Sequence, residues 1–244
     1  MPLPFTVRRT DPDAAAFCAR SGASDRAAVS AFVRGVKDLG LWESMVCWPL
    51  RSEQNAGTGT TAYSLGGLGT FNGTLVDGPV WGPDGVTTLD LTTRVTTSFP
   101  VASILSAGSL GHVAVVNADP IYFNYWFPTA WNFVGFTLTT LNPTLQGGSA
   151  LLSQDISSVP STFGVRDLKL FSWNGSQVVS NRNSVDTSTD AQVAPPIASG
   201  THTLCRGNAV TSFGVVLAAA LSRSQYLSLY TLYRTTLGTG LALP

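Results

Sequence analysis

NGTLVDGPVWGPDGVTTLDL, residues 72–91, decides how this chain folds. Three turn dipeptides are crowded into it, Asn72-Gly73, Asp77-Gly78 and Asp84-Gly85, each suited to the positive φ angles that reverse a chain within two residues. The run after the last of them, Val86–Leu91, is short and β-favouring. Reversals this close leave no room for a helix, so the stretch specifies strands joined by tight turns.

Downstream the texture is the same. Asn174-Gly175 is another turn, and His112–Val116, Ile121–Phe127, Phe133–Thr140, Val165–Phe171, Gln177–Ser180 and Phe213–Leu217 read as strands. No segment long enough for a helical crossover separates them, which predicts antiparallel sheets. The polar, Pro-containing stretch from Ser180 to Gly200 reads as a long exposed loop. Its Asp186 and Asp190 are solvated loop charges; a weakly bound Ca2+ there has no motif to support it, and no cofactor is expected.

Upstream, residues 1–42 form a separate segment ahead of a sandwich spanning 43–244. Asp11 can cap a first helix with Pro12 in its opening turn, running to Gly22. Ser24 is placed to cap a second, in which Val29, Phe32, Val33 and Val36 recur at helical spacing before Gly40 stops it. That stripe is too short to make a core alone, and the arm before it, Pro2 to Arg9, carries two prolines and two arginines. The segment is therefore expected to dock on a neighbouring chain. At the other end, Ser222 and Gln225 make an S-x-x-Q capping box for a last helix that buries Tyr226, Leu229, Tyr230, Tyr233 and Leu237 and stops at Gly238.

Composition narrows the class of function. Of 244 residues, 44% are hydrophobic and only 11% charged, with 14 basic and 14 acidic residues cancelling. A surface so poor in charge has few like-charge repulsions to hold copies apart, which suits a homo-oligomer or a larger assembly. No Lys/Arg cluster could track a phosphate backbone, so nucleic acid is not an expected partner. The N-terminal residues lack the apolar core of a secretory signal, so cytoplasmic synthesis is expected. The longest apolar run, Phe213–Leu221, is about half the roughly 20 residues of a membrane span. Cys18, Cys47 and Cys205 are odd in number and lack metal spacing, which fits buried thiols; a bridge to another subunit is the minority reading.

Leu65-Gly66-Gly67, Asn72-Gly73-Thr74-Leu75 and the run from Gly78 to Val86 together resemble the opening of laminin-G/concanavalin A-like jelly-roll domains. Ala31–Trp42 (AFVRGVKDLGLW) and Leu221–Leu241 (LSRSQYLSLYTLYRTTLGTGL) resemble the start and end of jelly-roll proteins found among bacteriophage structural genes. The resemblance implies an antiparallel jelly-roll β-sandwich serving as a virion component, such as a capsid-decoration, head-fibre or tail-associated protein in contact with other virion subunits. A lectin-like module that binds host surface glycans is the alternative, and a polysaccharide-degrading enzyme a distant third.

Catalytic constellations are sparse. Jelly-roll glucanases place two Glu at alternating positions on one strand, whereas Glu43 and Glu53, the only two here, lie outside every expected strand. Asp11 and Asp13 have that spacing but flank Pro12 at a helix start, where capping explains them. His112 and His202 are isolated and read as strand histidines with satisfied hydrogen bonds. Gly57-x-Gly59 lacks a preceding strand and is a flexible loop, not a dinucleotide fingerprint. The one dense constellation is aromatic: Tyr122, Phe123, Tyr125, Trp126, Phe127, Trp131 and Phe133. Strand alternation sets Tyr122 and Trp126 on one face and Tyr125 on the other. One face is core; Tyr122, Tyr125, Trp126 and Trp131 are the candidates for the other, as a protein interface first and a sugar-stacking platform second.

Overall fold

A computed structural model describes residues 9–104, 106–118, 121–127, 133–139, 142–148, 154–158, 163–174, 176–191 and 200–244. Two helices come first, α1 (Pro12–Ser21) and α2 (Arg26–Asp38). Asp11 caps α1 through the backbone N–H of Asp13 and Ala14, with Pro12 in the first turn, and Gly22 closes it in the left-handed conformation. Asp25, not Ser24, caps α2: its carboxylate accepts from Ala28 N–H. Gly40, at φ 69°, then turns the chain into a single 3-10 turn at Trp42–Ser44.

Strands follow: β1 (Met45–Pro49), β2 (Thr61–Ala62), β3 (Gly73–Val76), β4 (Val80–Gly82), β5 (Gly85–Thr88), β6 (Arg94–Thr97), β7 (Gly108–Val116), β8 (Ile121–Phe127), β9 (Phe133–Thr139) and β10 (Asn142–Gly148). The rest are β11 (Gln154–Ser158), β12 (Arg166–Trp173), β13 (Gln177–Arg182), β14 (Val185–Ala191), β15 (Thr201–Arg206) and β16 (Ala209–Leu217), before helix α3 (Arg223–Thr235). They form two antiparallel sheets. One runs β14-β13-β12-β7-β16-β5-β4, with β1 also on β16; the other runs β11-β10-β9-β8-β15-β6-β3-β2. Along the edge of β16 away from β7, β5 pairs residues 209–211 and β1 pairs 213–217, so two strands share one neighbour end to end. The chain is a jelly-roll β-sandwich, as its turn-rich sequence predicts.

Alternation along the strands explains a three-layer core. In β1, Val46 and Trp48 point between the sheets, while Met45 and Cys47 point the other way; in β16, Val216 joins the first set and Phe213, Val215 and Leu217 the second. The second set packs under the helices. With both faces covered, β1 is buried at every position and carries no polar alternation.

The helical segment thus belongs to this chain's own core. Val29, Phe32, Val33 and Val36 are fully buried against β1, β16 and α3, with Phe32 edge-on to Phe213 at 5.7 Å. The expectation that this stripe docks on a neighbouring chain is corrected: the apolar face of the first sheet lies within reach and takes it. The capping box of α3 forms as read, Ser222 accepting from Gln225 N–H while Gln225 accepts from Ser222 N–H, and all five stripe residues are buried. Arg51 and Gln54 donate to the carbonyl of Leu237 just beyond the helix, fastening its end to the sandwich.

Ser180–Gly200 also departs from expectation. Residues through Ala191 form the β13–β14 hairpin turned by Asn183 at φ 55°, so Asp186 and Asp190 lie on a strand; residues 192–199 lie outside the described set. Thr and Ser fit an edge strand as well as a loop, which is why polarity misled.

Candidate functional site

β8 tests the aromatic run. Strict alternation would put Phe123 and Trp126 on opposite faces, yet both lie in the core between the sheets. A register shift between them, with Asn124 at φ 44°, inserts the extra residue that brings Trp126 inward. Trp126 has no exposed surface, donates its indole N–H to Phe99 O at 2.9 Å and stacks on His202 at 4.3 Å. It is corrected from platform candidate to core residue. Tyr122 pairs in register with Arg206 and Tyr125 with Thr203; their side chains and Trp131 lie outside the described set.

Around Trp126 the buried polar groups form one directed chain. Phe99 N–H donates to Thr97 Oγ1, which bonds His202 Nδ1 at 2.7 Å; His202 Nε2 bonds Asn124 Oδ1 at 3.2 Å; Asn124 Nδ2 donates to Gly111 O on the opposite sheet at 2.7 Å. Because Asn124 Oδ1 can only accept, Nε2 carries the ring proton and Nδ1 accepts from Thr97. Burial holds His202 neutral, with its pKa pushed down to about 3. This network joins the sheets and leaves neither nitrogen of His202 free for a substrate.

A second buried cluster lies on β12 and β13. Asp167 and Lys169 stand 3.5 Å apart, and Asp167 also meets Arg182 at 3.0 Å and Asn183 Nδ2 at 3.1 Å. Burial pulls the Lys169 pKa down to about 8 against the pull of Asp167. Burial and then the Lys169 charge push His112 well below its ordinary value, and its ring stacks on Phe123 at 3.9 Å.

An open cavity lies where the ends of α1 and α2 meet the 3-10 turn that leads into β1. It holds about 330 Å³ and is lined by Asp13, Lys37, Gly40, Trp42 and Glu43. Lys37, in the last turn of α2, reaches Asp11 at 2.9 Å and Asp13 at 2.5 Å, so opposite charges complement the antiparallel ends of the two helices. Burial works against the charge on Lys37, yet its bonds to Asp13 and Asp11 raise its pKa; burial likewise works to raise Asp11, and Lys37 with two backbone N–H groups lowers it. The ammonium stands 5.2 Å from the centre of the half-buried Trp42 ring.

Trp42 is held by backbone. Gly67 N–H donates to Trp42 O at 3.0 Å, and a Cβ on Gly67 would fall 2.7 Å from Trp42 Cδ1 and 2.8 Å from Trp42 O. Gly66, at φ 146°, brings the same loop so near Met45 O that a Cβ would be 2.1 Å away. The Leu65-Gly66-Gly67 run is therefore where one loop lies flat against the start of β1. Asp13, Lys37, Trp42 and Glu43 come from three elements, and no spacing in the sequence links them.

Among the described residues no helix is long and apolar enough to cross a membrane, and no group of three or more His, Cys, Asp or Glu could hold a metal. No protein-family model and no curated protein matches the chain. Solved structures share its fold. Trypanosoma rangeli sialidase in complex with 2,3-difluorosialic acid superposes with a TM-score of 0.57 at 10% identity, over 88% of this chain and 40% of that one. A mutant of the same sialidase with trans-sialidase activity gives 0.54 at 10% identity, over 86% and 39%. The structure designated HCR/D-Sa-GBL1/C gives 0.55 at 11%, over 79% and 52%. The chain thus spans about two fifths of the sialidase and half of the third protein, and what it shares with them is a jelly-roll β-sandwich.

Proposed function

We propose that the chain is a non-catalytic, lectin-like glycan-binding module with the Trp42 cavity as its site. The observation that carries this is the pairing of an immobilised, half-buried indole with open carboxylates in a cavity at the small end of the roughly 300–1,000 Å³ that ligand sites span. Sugar rings present apolar C–H faces to aromatic rings and hydroxyls to carboxylates, so this mixture suits a mono- or disaccharide. Asp13 and Glu43 are both exposed, whereas acid catalysis of glycosidic cleavage uses carboxyls set in apolar, water-poor surroundings. The jelly-roll neighbours support the reading at the level of scaffold alone.

A glycan array probed with the isolated protein and with Trp42→Ala tests it. Binding to a defined set of sugars, lost in the variant while its melting temperature holds, is the expected result, with no change in the reducing ends of bound oligosaccharides. Absence of binding across the array, or binding indifferent to Trp42, overturns it.

A setting on a bacteriophage particle, as a decoration, fibre or tail-associated subunit, is proposed on a separate observation: 28 charged residues in 244 leave a surface suited to many-copy contact. A fixed, symmetric copy number in purified particles is the expected finding, and absence from them refutes this setting.

A further inference from the structure

We infer that the Trp42 cavity selects saccharides bearing a free ammonium group and rejects those bearing a carboxylate; the inference rests on the glycan-binding reading above. It follows from counting which hydrogen-bonding groups are left open. Among the described residues Lys37 is the only cation lining the cavity, and its ammonium has three N–H donors. Three carboxylate oxygens already lie in reach: Asp11 Oδ1 at 3.0 Å, Asp11 Oδ2 at 2.9 Å and Asp13 Oδ2 at 2.5 Å. With one face toward Trp42 as well, the ammonium has no donor to offer an incoming acid.

The groups left open point the other way. Glu43 has no hydrogen-bond or ion-pair partner among the described residues, Asp13, paired to Lys37 through Oδ2, keeps Oδ1 without a hydrogen bond, and both side chains are exposed. Asp11, Asp13 and Glu43 against Lys37 leave the site with a formal charge of −2. On α2 the flanking charges cancel: Arg34 keeps its positive charge, since Arg9 O and Ser30 Oγ are neutral acceptors, and Asp38, beyond Lys37, is negative. Trp42 contributes a neutral indole N–H and a ring face of the kind that attracts cations, as its contact with Lys37 shows. A cavity of open acceptors beside an aromatic ring fits a 2-amino-2-deoxyhexose, whose ammonium can meet Glu43 and Asp13 while its ring C–H face lies on the indole. A sialic or uronic acid would bring a carboxylate up to Glu43, which has no ion-pair partner among the described residues, and to the open oxygen of Asp13.

Titration calorimetry with three ligands of equal length tests the inference: a glucosamine trimer, its N-acetylated counterpart and a galacturonic acid trimer. The expected order is amino over N-acetyl by about tenfold, with the acid weakest. Raising the salt from about 20 mM to about 500 mM should shrink the amino preference, because exposed charges are screened at that strength. Glu43→Gln, at an exposed position, should cut the amino-to-acetyl ratio severalfold with an unchanged melting temperature. Equal affinity for amino and N-acetyl trimers, or Trp42-dependent binding of the acid at least as tight as either, overturns the inference and leaves the glycan-binding reading standing. No binding of any trimer overturns the inference, and the glycan array decides separately whether the wider reading falls with it.

Discussion

Mild acid should destabilise this fold through its two buried histidines. His202 is neutral in the native state with a pKa of about 3, and its Nδ1 is the acceptor of the Thr97 hydroxyl, so a second ring proton would cost both desolvation and that bond. In the unfolded chain the same ring titrates near 6.5. Between those values the unfolded state binds a proton that the native state refuses. The contribution is therefore complete above pH 6.5 and is lost as pH falls toward 3, at about 1.4 kcal/mol per pH unit. From pH 7.0 to 5.5 that amounts to roughly 1 kcal/mol for His202. His112, also pushed well down by burial and the Lys169 charge, adds to the loss in the same direction. The window isolates the histidines: the lowered carboxylates Asp11 and Asp90 lose their contribution only below about pH 4, and Lys169, lowered to about 8, stays protonated throughout. Urea unfolding at the two pH values reads the loss, and an NMR titration of the His202 ring should show no protonation above pH 4. A ring that titrates at 6 or higher, or a stability unchanged between pH 7.0 and 5.5, would refute the reasoning.

Deleting residues 1–42 should abolish cooperative unfolding, since the stripe of α2 fills the core beneath the first sheet; a truncated chain with an intact melt would show that core to be dispensable. Trp126→Ala should cost about 3–5 kcal/mol in chemical denaturation, the range for emptying a core of an aromatic, whereas an exposed platform residue would cost little. Gly67→Ala should weaken glycan binding while costing about 1–3 kcal/mol, because its Cβ must displace the Trp42 ring or backbone; wild-type affinity in that variant would contradict the account of how the indole is held. Ser222→Ala should lower stability by about 1 kcal/mol through loss of the capping box, measured by thermal unfolding.

What could be read in the sequence was what local chemistry decides. The turns at Asp77-Gly78 and Asp84-Gly85, the Asp11 and Ser222 caps, Gly22 and Gly40 as stops, and the stripes of α2 and α3 all act within a few residues of where they are written, whereas Asn72-Gly73 makes no positive-φ reversal and Gly73 instead opens β3. The bounds of β8 were legible too, but its facing was not: one residue at positive φ, Asn124, moves Trp126 into the core, and nothing in a two-residue period announces a bulge. β1 escaped notice because Met45–Pro49 is buried on both faces, so it lacks the alternation by which a strand is recognised. The stripe of α2 was visible, but not what covers it, since its partner Phe213 lies far along the chain. The cavity was the least legible feature. Asp13 reads as a helix-start charge and Trp42 as the close of the N-terminal segment, and nothing in the sequence singles out Lys37; their convergence depends on the turn at Gly40 and on Gly67 from another loop.

The indole N–H signals offer the most direct test of the central claim. Those of Trp48, Trp126 and Trp173 donate to buried carbonyls of Phe71, Phe99 and Ile104, and that of Trp81 to Gly59 O, so each is fixed within the fold away from the cavity. Trp42 alone among these five lines it. In a two-dimensional 15N–1H NMR titration with a glucosamine trimer, the account predicts a saturable shift of the Trp42 indole signal, assigned through Trp42→Phe, with the other four unmoved. A titration that shifts another indole, or leaves that of Trp42 in place while the sugar binds, would contradict it.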